Sequence, residues 1–178
     1  QQDMYPPFLG SGARYNPATA QWTAMRSDST APSGRTGHTG VWTGTEMIVW
    51  GGEQYDASQN TVYLDNGGRY SPLTDSWIPL PSGTSWLAGR YKHSAVWTGA
   101  EMIIWGGHGT GYATFRDGSR YNPVSNTWNT TSLTNAPEPK YQHSAVWTGN
   151  VMIVWGGYDY SVYSQGGRYN PVTDGWQP

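Results

Sequence analysis

Hydrophobic positions in this chain fall into short β-prone runs set off by glycine and proline. In HTGVWTGTEMIVWGG, which begins at His38, the runs VW and MIVW are joined by Thr-Gly plus two residues. That spacing and that glycine predict a tight hairpin, with the glycine supplying a positive φ. The same 15-residue unit returns as HSAVWTGAEMIIWGG at His93 and HSAVWTGNVMIVWGG at His143, with Gly99 and Gly149 where the first copy has Gly44. A second pattern runs ARYNPATAQW from Ala13, GRYSPLTDSW from Gly68, SRYNPVSNTW from Ser119 and GRYNPVTDGW from Gly167. Here Arg-Tyr leads into Asn-Pro or Ser-Pro, where proline ends a strand and starts a turn, and the Trp five residues beyond the proline opens the returning strand.

Three copies of the first unit and four of the second, at a period of about 50 residues, predict four antiparallel strands per repeat, A to D. One such sheet cannot bury its aromatic faces alone. It must stack on its neighbours, and radial repetition protects the edges that a flat stack leaves exposed. The glycine doublets Gly51-Gly52, Gly106-Gly107 and Gly156-Gly157, followed by Tyr70, Tyr121 and Tyr169 and then by Trp77, Trp128 and Trp176, resemble the kelch repeat. The resemblance is to the Trp-rich kelch proteins exported by bacteria and covers nearly the whole chain. It implies a β-propeller with strand A nearest the central channel and strand D at the rim, in an extracellular or periplasmic setting.

The expectation is an all-β kelch-type β-propeller region: an outer half blade over 1–24 and three complete four-stranded blades over 25–78, 79–129 and 130–178. Propellers commonly have four to eight blades, so three and a half do not make a ring. In the resembled family the ring is often closed by pairing N-terminal outer strands with C-terminal inner strands. The inner strands that match the leading half blade are therefore expected beyond residue 178, in a longer chain. Closure between two chains is the other solution, and it leaves two outer pairs unmatched.

Composition narrows the function classes. Eleven Trp and thirteen Tyr against two Phe put the apolar surface into large amphipathic rings, while charged residues are only 12% of the chain. A net charge of -2, with no run of like charges, argues against nucleic acid and anionic membranes. No stretch is long and apolar enough to insert in a membrane as a helix. The absence of Cys removes disulfides, thiolate metal sites and cysteine nucleophiles together.

Ten of the eleven Trp recur from repeat to repeat and are read as packing between blades. His38, His93 and His143 open equivalent strands several ångströms apart, which suits hydrogen bonding between blades and not one shared metal ion. Arg14, Arg69, Arg120 and Arg168 read as structural, stacked on a Trp. Asp56, Ser58 and Asn60 place oxygens at alternate positions as calcium loops do, but without the glycine and distal glutamate of an EF-hand. Asn129-Thr130-Thr131 matches a glycosylation sequon by pattern alone. No catalytic set, metal site or cofactor is expected. The tyrosine–cysteine crosslink of galactose oxidase, which is built on a kelch scaffold, cannot form without Cys, and the Ser-x-Asp-x-Gly-x-x-Trp box of propeller sialidases is absent.

Because strands alternate in direction, the A–B and C–D turns share one face and the B–C and D–A loops the other. The first set is nearly invariant between copies. The second varies in length and content, as recognition loops on a rigid scaffold do. The predicted binding residues are Tyr55, Tyr63, Tyr112, Phe115, Tyr158, Tyr160 and Tyr163 from the B–C loops, with Trp86, Arg90, Tyr91 and Tyr141 from the D–A loops. Trp86 alone among the Trp has no counterpart in another copy. Three functions follow: a non-catalytic module binding another protein or further copies of itself; a lectin-like module stacking glycans on Trp86, Tyr112 and Tyr160; and the scaffold part of an enzyme whose active site lies in other blades.

Overall fold

A computed structural model describes residues 8–82, 84–159 and 165–178. The two repeated sequence units fold as the pattern predicts and assemble into four-stranded antiparallel sheets. An outer pair, β1 (Ala13–Asn16) and β2 (Gln21–Ala24), comes first. The first full blade contains β3 (Thr39–Trp42), β4 (Met47–Trp50), β7 (Gly67–Ser71) and β8 (Ser76–Pro79), with a small extra hairpin, β5 (Glu53–Tyr55) and β6 (Thr61–Tyr63), inside its B–C loop. The second is β9 (Ser94–Trp97), β10 (Met102–Trp105), β11 (Gly118–Asn122) and β12 (Thr127–Thr130). The third is β13 (Ser144–Trp147), β14 (Met152–Trp155), β15 (Gly166–Asn170) and β16 (Gly175–Gln177).

Register is the same in every blade. Trp42, Trp97 and Trp147 lie opposite Met47, Met102 and Met152, and the same methionines lie opposite Tyr70, Tyr121 and Tyr169. The A strands touch in the order β3, β9, β13, so they line the inner edge of a partial propeller.

Two cores hold the blades together, one in each joint. In the first, Val41, Ile48 and Trp50 from the rear of one blade meet Met102, Ile104, Tyr121 and Trp128 on the front of the next. In the second, Val96, Ile103 and Trp105 meet Met152, Val154, Tyr169 and Trp176. Trp50 and Trp105 are fully buried. Each meets the rim Trp of the following blade at 5.6 Å (Trp128) or 5.4 Å (Trp176), and that blade's histidine edge-on at 5.1 Å (His93) or 5.0 Å (His143).

Each histidine also reaches back across the joint, His93 Nε2 lying 2.7 Å from Thr39 Oγ1 and His143 Nε2 2.7 Å from Ser94 Oγ. Burial pushes both imidazoles down, His93 well below its ordinary range and His143 to about 4, so both are neutral at pH 7. The first glycine of the first two doublets makes room for this ring. A Cβ on Gly51 would lie 2.6 Å from His93 Cε1, and one on Gly106 would lie 2.7 Å from His143 Cε1.

The repeated arginines are not stacked on Trp. Arg14, Arg69 and Arg120 each extend Nη1 to a proline carbonyl in the next blade's C–D turn, Pro72 at 2.7 Å, Pro123 at 2.8 Å and Pro171 at 2.7 Å. The planar guanidinium serves as a long-range donor, for which a turn carbonyl is a stronger and more directional acceptor than an indole face. The C–D turns are locked beneath it by tyrosine hydroxyls donating to the turn's Asp75, Asn126 and Asp174.

Candidate functional site

The B–C and D–A loops share one face, held by a backbone frame that repeats in each blade. The residue just after the glycine doublet pairs with a residue two positions before the repeated histidine, forming the bridges Thr36–Glu53, Tyr91–His108 and Tyr141–Tyr158. Each bridge is a reciprocal pair of N–H···O=C bonds of 2.9–3.1 Å. A second chain of backbone bonds links the blades around the axis, Lys92 N–H donating to Gly37 O at 2.9 Å and Gln142 N–H to Lys92 O at 3.0 Å. Gly37, Lys92 and Gln142 all hold positive φ, 63°, 54° and 56°.

Under this frame each blade buries one cation. Arg35 Nη1 donates to Gly51 O at 2.9 Å and Asn66 O at 3.0 Å, and Lys140 Nζ donates to Gln165 O at 2.7 Å. Arg90 is fully buried, with a two-point contact to Asp117 at 2.8 and 3.2 Å and its guanidinium carbon 3.9 Å above the Phe115 ring. Arg35 and Arg90 donate to the carbonyls of the first doublet glycines, Gly51 and Gly106, whereas Lys140 reaches the Gln165 carbonyl. Arg90 therefore points away from the loop surface on which the sequence pattern placed it, and Phe115 packs against it as a staple.

Above these cations an aromatic row crosses all three blades, half-buried at Tyr63, Tyr91 and Tyr141, buried at His108 and exposed at Tyr158. Ring centroids run Tyr63–Tyr91 at 5.3 Å, Tyr91–His108 at 5.5 Å, His108–Tyr141 at 5.1 Å and Tyr141–Tyr158 at 5.3 Å, mostly edge to face. Tyr112 stands beside the row, 6.4 Å from His108 and 78% exposed, with a φ of 63° that few bulky residues adopt. Tyr158 and Trp86 are also exposed, whereas Tyr55 is half-buried and stacks on Phe8 at 5.0 Å. Tyr160 and Tyr163 lie outside the described residues.

Three residues at the frame positions were not among the predicted contacts: Glu53, Lys92 and His108. Burial lowers the His108 pKa and the nearby Lys92 ammonium lowers it further, while Asp159 opposes them. Burial raises the Glu53 carboxyl, with Lys92 pulling it back. Lys92 Nζ lies 4.9 Å from the centre of the Tyr91 ring. Their common signal in sequence is position: each adjoins an invariant glycine doublet or histidine, yet differs in type from its counterparts in the other blades.

The surface offers stacking area, hydroxyls and a few charges. Among the described residues no group of His, Asp and Glu is arranged to hold a metal ion. The Asp56 carboxylate is taken up by its own turn, accepting from the backbone N–H groups of Ser58 and Asn60 at 2.8 and 2.9 Å, so Asp56, Ser58 and Asn60 do not converge on a cation. No helix among the described residues is long and apolar enough to cross a membrane.

Comparison with known proteins agrees with the sheets and their order. The KLHDC2/KLHL20/DRC7 Kelch-repeats domain matches residues 9–178. The chain is 30% identical over 132 residues to Tip elongation aberrant protein 1 of Schizosaccharomyces pombe, covering 70% of this chain and 11% of that protein. It is 28% identical over 116 residues to Kelch domain-containing protein 3 of Homo sapiens and of Bos taurus, covering 62% of this chain and 30% of each relative. The chain thus spans less than a third of the length of these curated relatives.

Proposed function

Because the chain belongs to the kelch repeat family, whose domains in general bind other proteins, we propose that it is a non-catalytic protein-binding module that meets its partner through the B–C and D–A loops. The observation that carries this reading is the aromatic row from Tyr63 to Tyr158, set on a backbone frame that repeats from blade to blade while its side chains change. A rigid frame costs little ordering entropy on binding, and tyrosine rings supply contact area with hydroxyls for hydrogen bonds. An extended row of rings suits a protein surface, and the difference between successive blades weighs against one glycan site repeated in each.

The test compares two variants in affinity capture with quantified partners. Replacing Trp86, Tyr112 and Tyr158 by Ser should weaken capture of the specific partner at least tenfold, since a central aromatic contact is worth about 2 kcal/mol or more. Replacing Leu73, Val124 and Val172, which are over 90% exposed on the opposite face, should leave capture unchanged. The reverse pattern would refute the assignment of the face. An extracellular setting fits the low charge content, and secretion of the tagged full-length protein from its own cells tests it.

A further inference from the structure

Three equivalent positions, each just ahead of a C strand, carry Asn66, Asp117 and Gln165, and each is followed by a glycine, Gly67, Gly118 or Gly166. The backbone there is the same in the first two blades. Gly51 N–H donates to Asn66 O at 3.0 Å, and Gly106 N–H to Asp117 O at 3.0 Å. The buried arginine of each blade arrives in the same way, Arg35 Nη2 donating to Asn66 Oδ1 at 3.0 Å while Arg90 grips both Asp117 oxygens at 2.8 and 3.2 Å. The first blade thus holds an amide where the second holds a carboxylate.

Asn66 is also the asparagine whose amide is most easily lost. A following glycine has no Cβ to hinder the approach of its nitrogen to the side-chain carbonyl, and no other asparagine of the chain precedes a glycine. Packing requires that glycine, since a Cβ on Gly67 would lie 2.0 Å from the Val49 carbonyl oxygen. We propose that Asn66 is a deamidation site, converted in the folded protein to aspartate, which then grips Arg35 as Asp117 grips Arg90. The Gly67 backbone nitrogen attacks Asn66 Cγ and gives up its proton, the side-chain nitrogen leaves as ammonia, and a succinimide ring forms. Water then opens the bond between Cγ and that nitrogen, so that one water is consumed and one ammonia released. Charge that builds on Oδ1 during the attack faces the Arg35 guanidinium. The neighbouring blades do not share this chemistry, because Gln165 would have to close a larger ring and the ionised Asp117 carboxylate is a poor target for a nucleophile. Asn66 lies half-buried beside the loop frame, so the conversion places a negative charge under that face. This inference does not depend on how the loop face meets a partner.

Peptide mapping by mass spectrometry tests it, on the full-length protein incubated folded at mildly alkaline pH. Asn66 should convert at least about tenfold faster than any other asparagine. The ratio of aspartate to isoaspartate should exceed that of the urea-unfolded chain, because isoaspartate lengthens the backbone at the Gly51–Asn66 hydrogen bond. Arg35→Lys, Asn66→Gln and Asn66→Asp each install what an equivalent position already carries, Lys140, Gln165 or Asp117, so all three should fold. Arg35→Lys should slow the conversion at least about threefold, and Asn66→Gln should abolish it. Asn66→Asp should raise the urea midpoint above that of the freshly prepared protein, since a two-point carboxylate contact to arginine is stronger than one amide oxygen. An Asn66 that stays intact in the folded protein over the time in which the unfolded chain converts overturns the proposal, and so does a lower urea midpoint for Asn66→Asp.

Discussion

A few glycines and histidines set how closely the blades approach. Gly106 sits at φ 67°, and a Cβ there would stand 2.6 Å from the Lys140 carbonyl as well as against His143. Gly99, in the A–B turn, has φ 99° with nothing within 4 Å of a Cβ. Gly99→Ala should therefore cost about 1–2 kcal/mol of backbone strain, whereas Gly106→Ala adds the clash and should cost about 2–5 kcal/mol, both read by urea unfolding. The sequence places both glycines in repeats, but repetition alone cannot separate a turn glycine from one that admits a neighbour's ring.

Histidine gives the residue scale its pH dependence. His143 titrates at about 4 in the fold, so the unfolded chain, near 6.5, binds that proton more readily. Its contribution is full above pH 6.5 and is lost as pH falls towards 4, on the order of 3 kcal/mol in total. Thermal melts between pH 7 and pH 4.5 should show this loss together with that of His93, which burial also pushes down, and His143→Gln should reduce it without abolishing it. The inward turn of Arg90 was hidden from the pattern, since a cation in a loop reads as solvent-exposed until the carbonyls it must satisfy are located.

Strand pairs carry the joints, and at this scale the sequence was most informative. Alternating short runs with Gly and Pro punctuation fix both hairpins of each blade, and the recurring Trp positions mark faces that can meet a neighbouring blade, although Trp22 and Trp42 are 68% and 54% exposed. What periodicity could not supply was context: Trp50, Trp105 and Trp155 are equivalent in sequence, yet the first two are fully buried and the third is 60% exposed. Trp105→Ala should cost about 3–5 kcal/mol by opening a core cavity. Trp155→Ala, in the 178 residues taken alone, should change stability by less than about 1 kcal/mol. Parallel chemical denaturation of the two variants separates the positions. The β5–β6 hairpin was missed because its strands are only three residues each, Glu53–Tyr55 and Thr61–Tyr63, and the aromatic content of that loop suggested contact residues first.

Across the whole molecule, two kinds of surface follow from one repeat. The flanks carry the same chemistry as the buried joints, which suits them to meet further blades, while the loop face carries different side chains on an unchanging frame, which suits it to select a partner. The turn face, with its Tyr–Asp and Tyr–Asn locks and arginine contacts, has the uniformity of scaffolding. Hydrogen–deuterium exchange of the full-length protein, with and without its captured partner, tests this division most directly. The account predicts partner-dependent protection in residues 84–92, 108–116 and 134–142, with the C–D turns at 72–75, 123–126 and 171–174 unchanged. Protection concentrated in those turns, with the loops exchanging as freely as before, would contradict it.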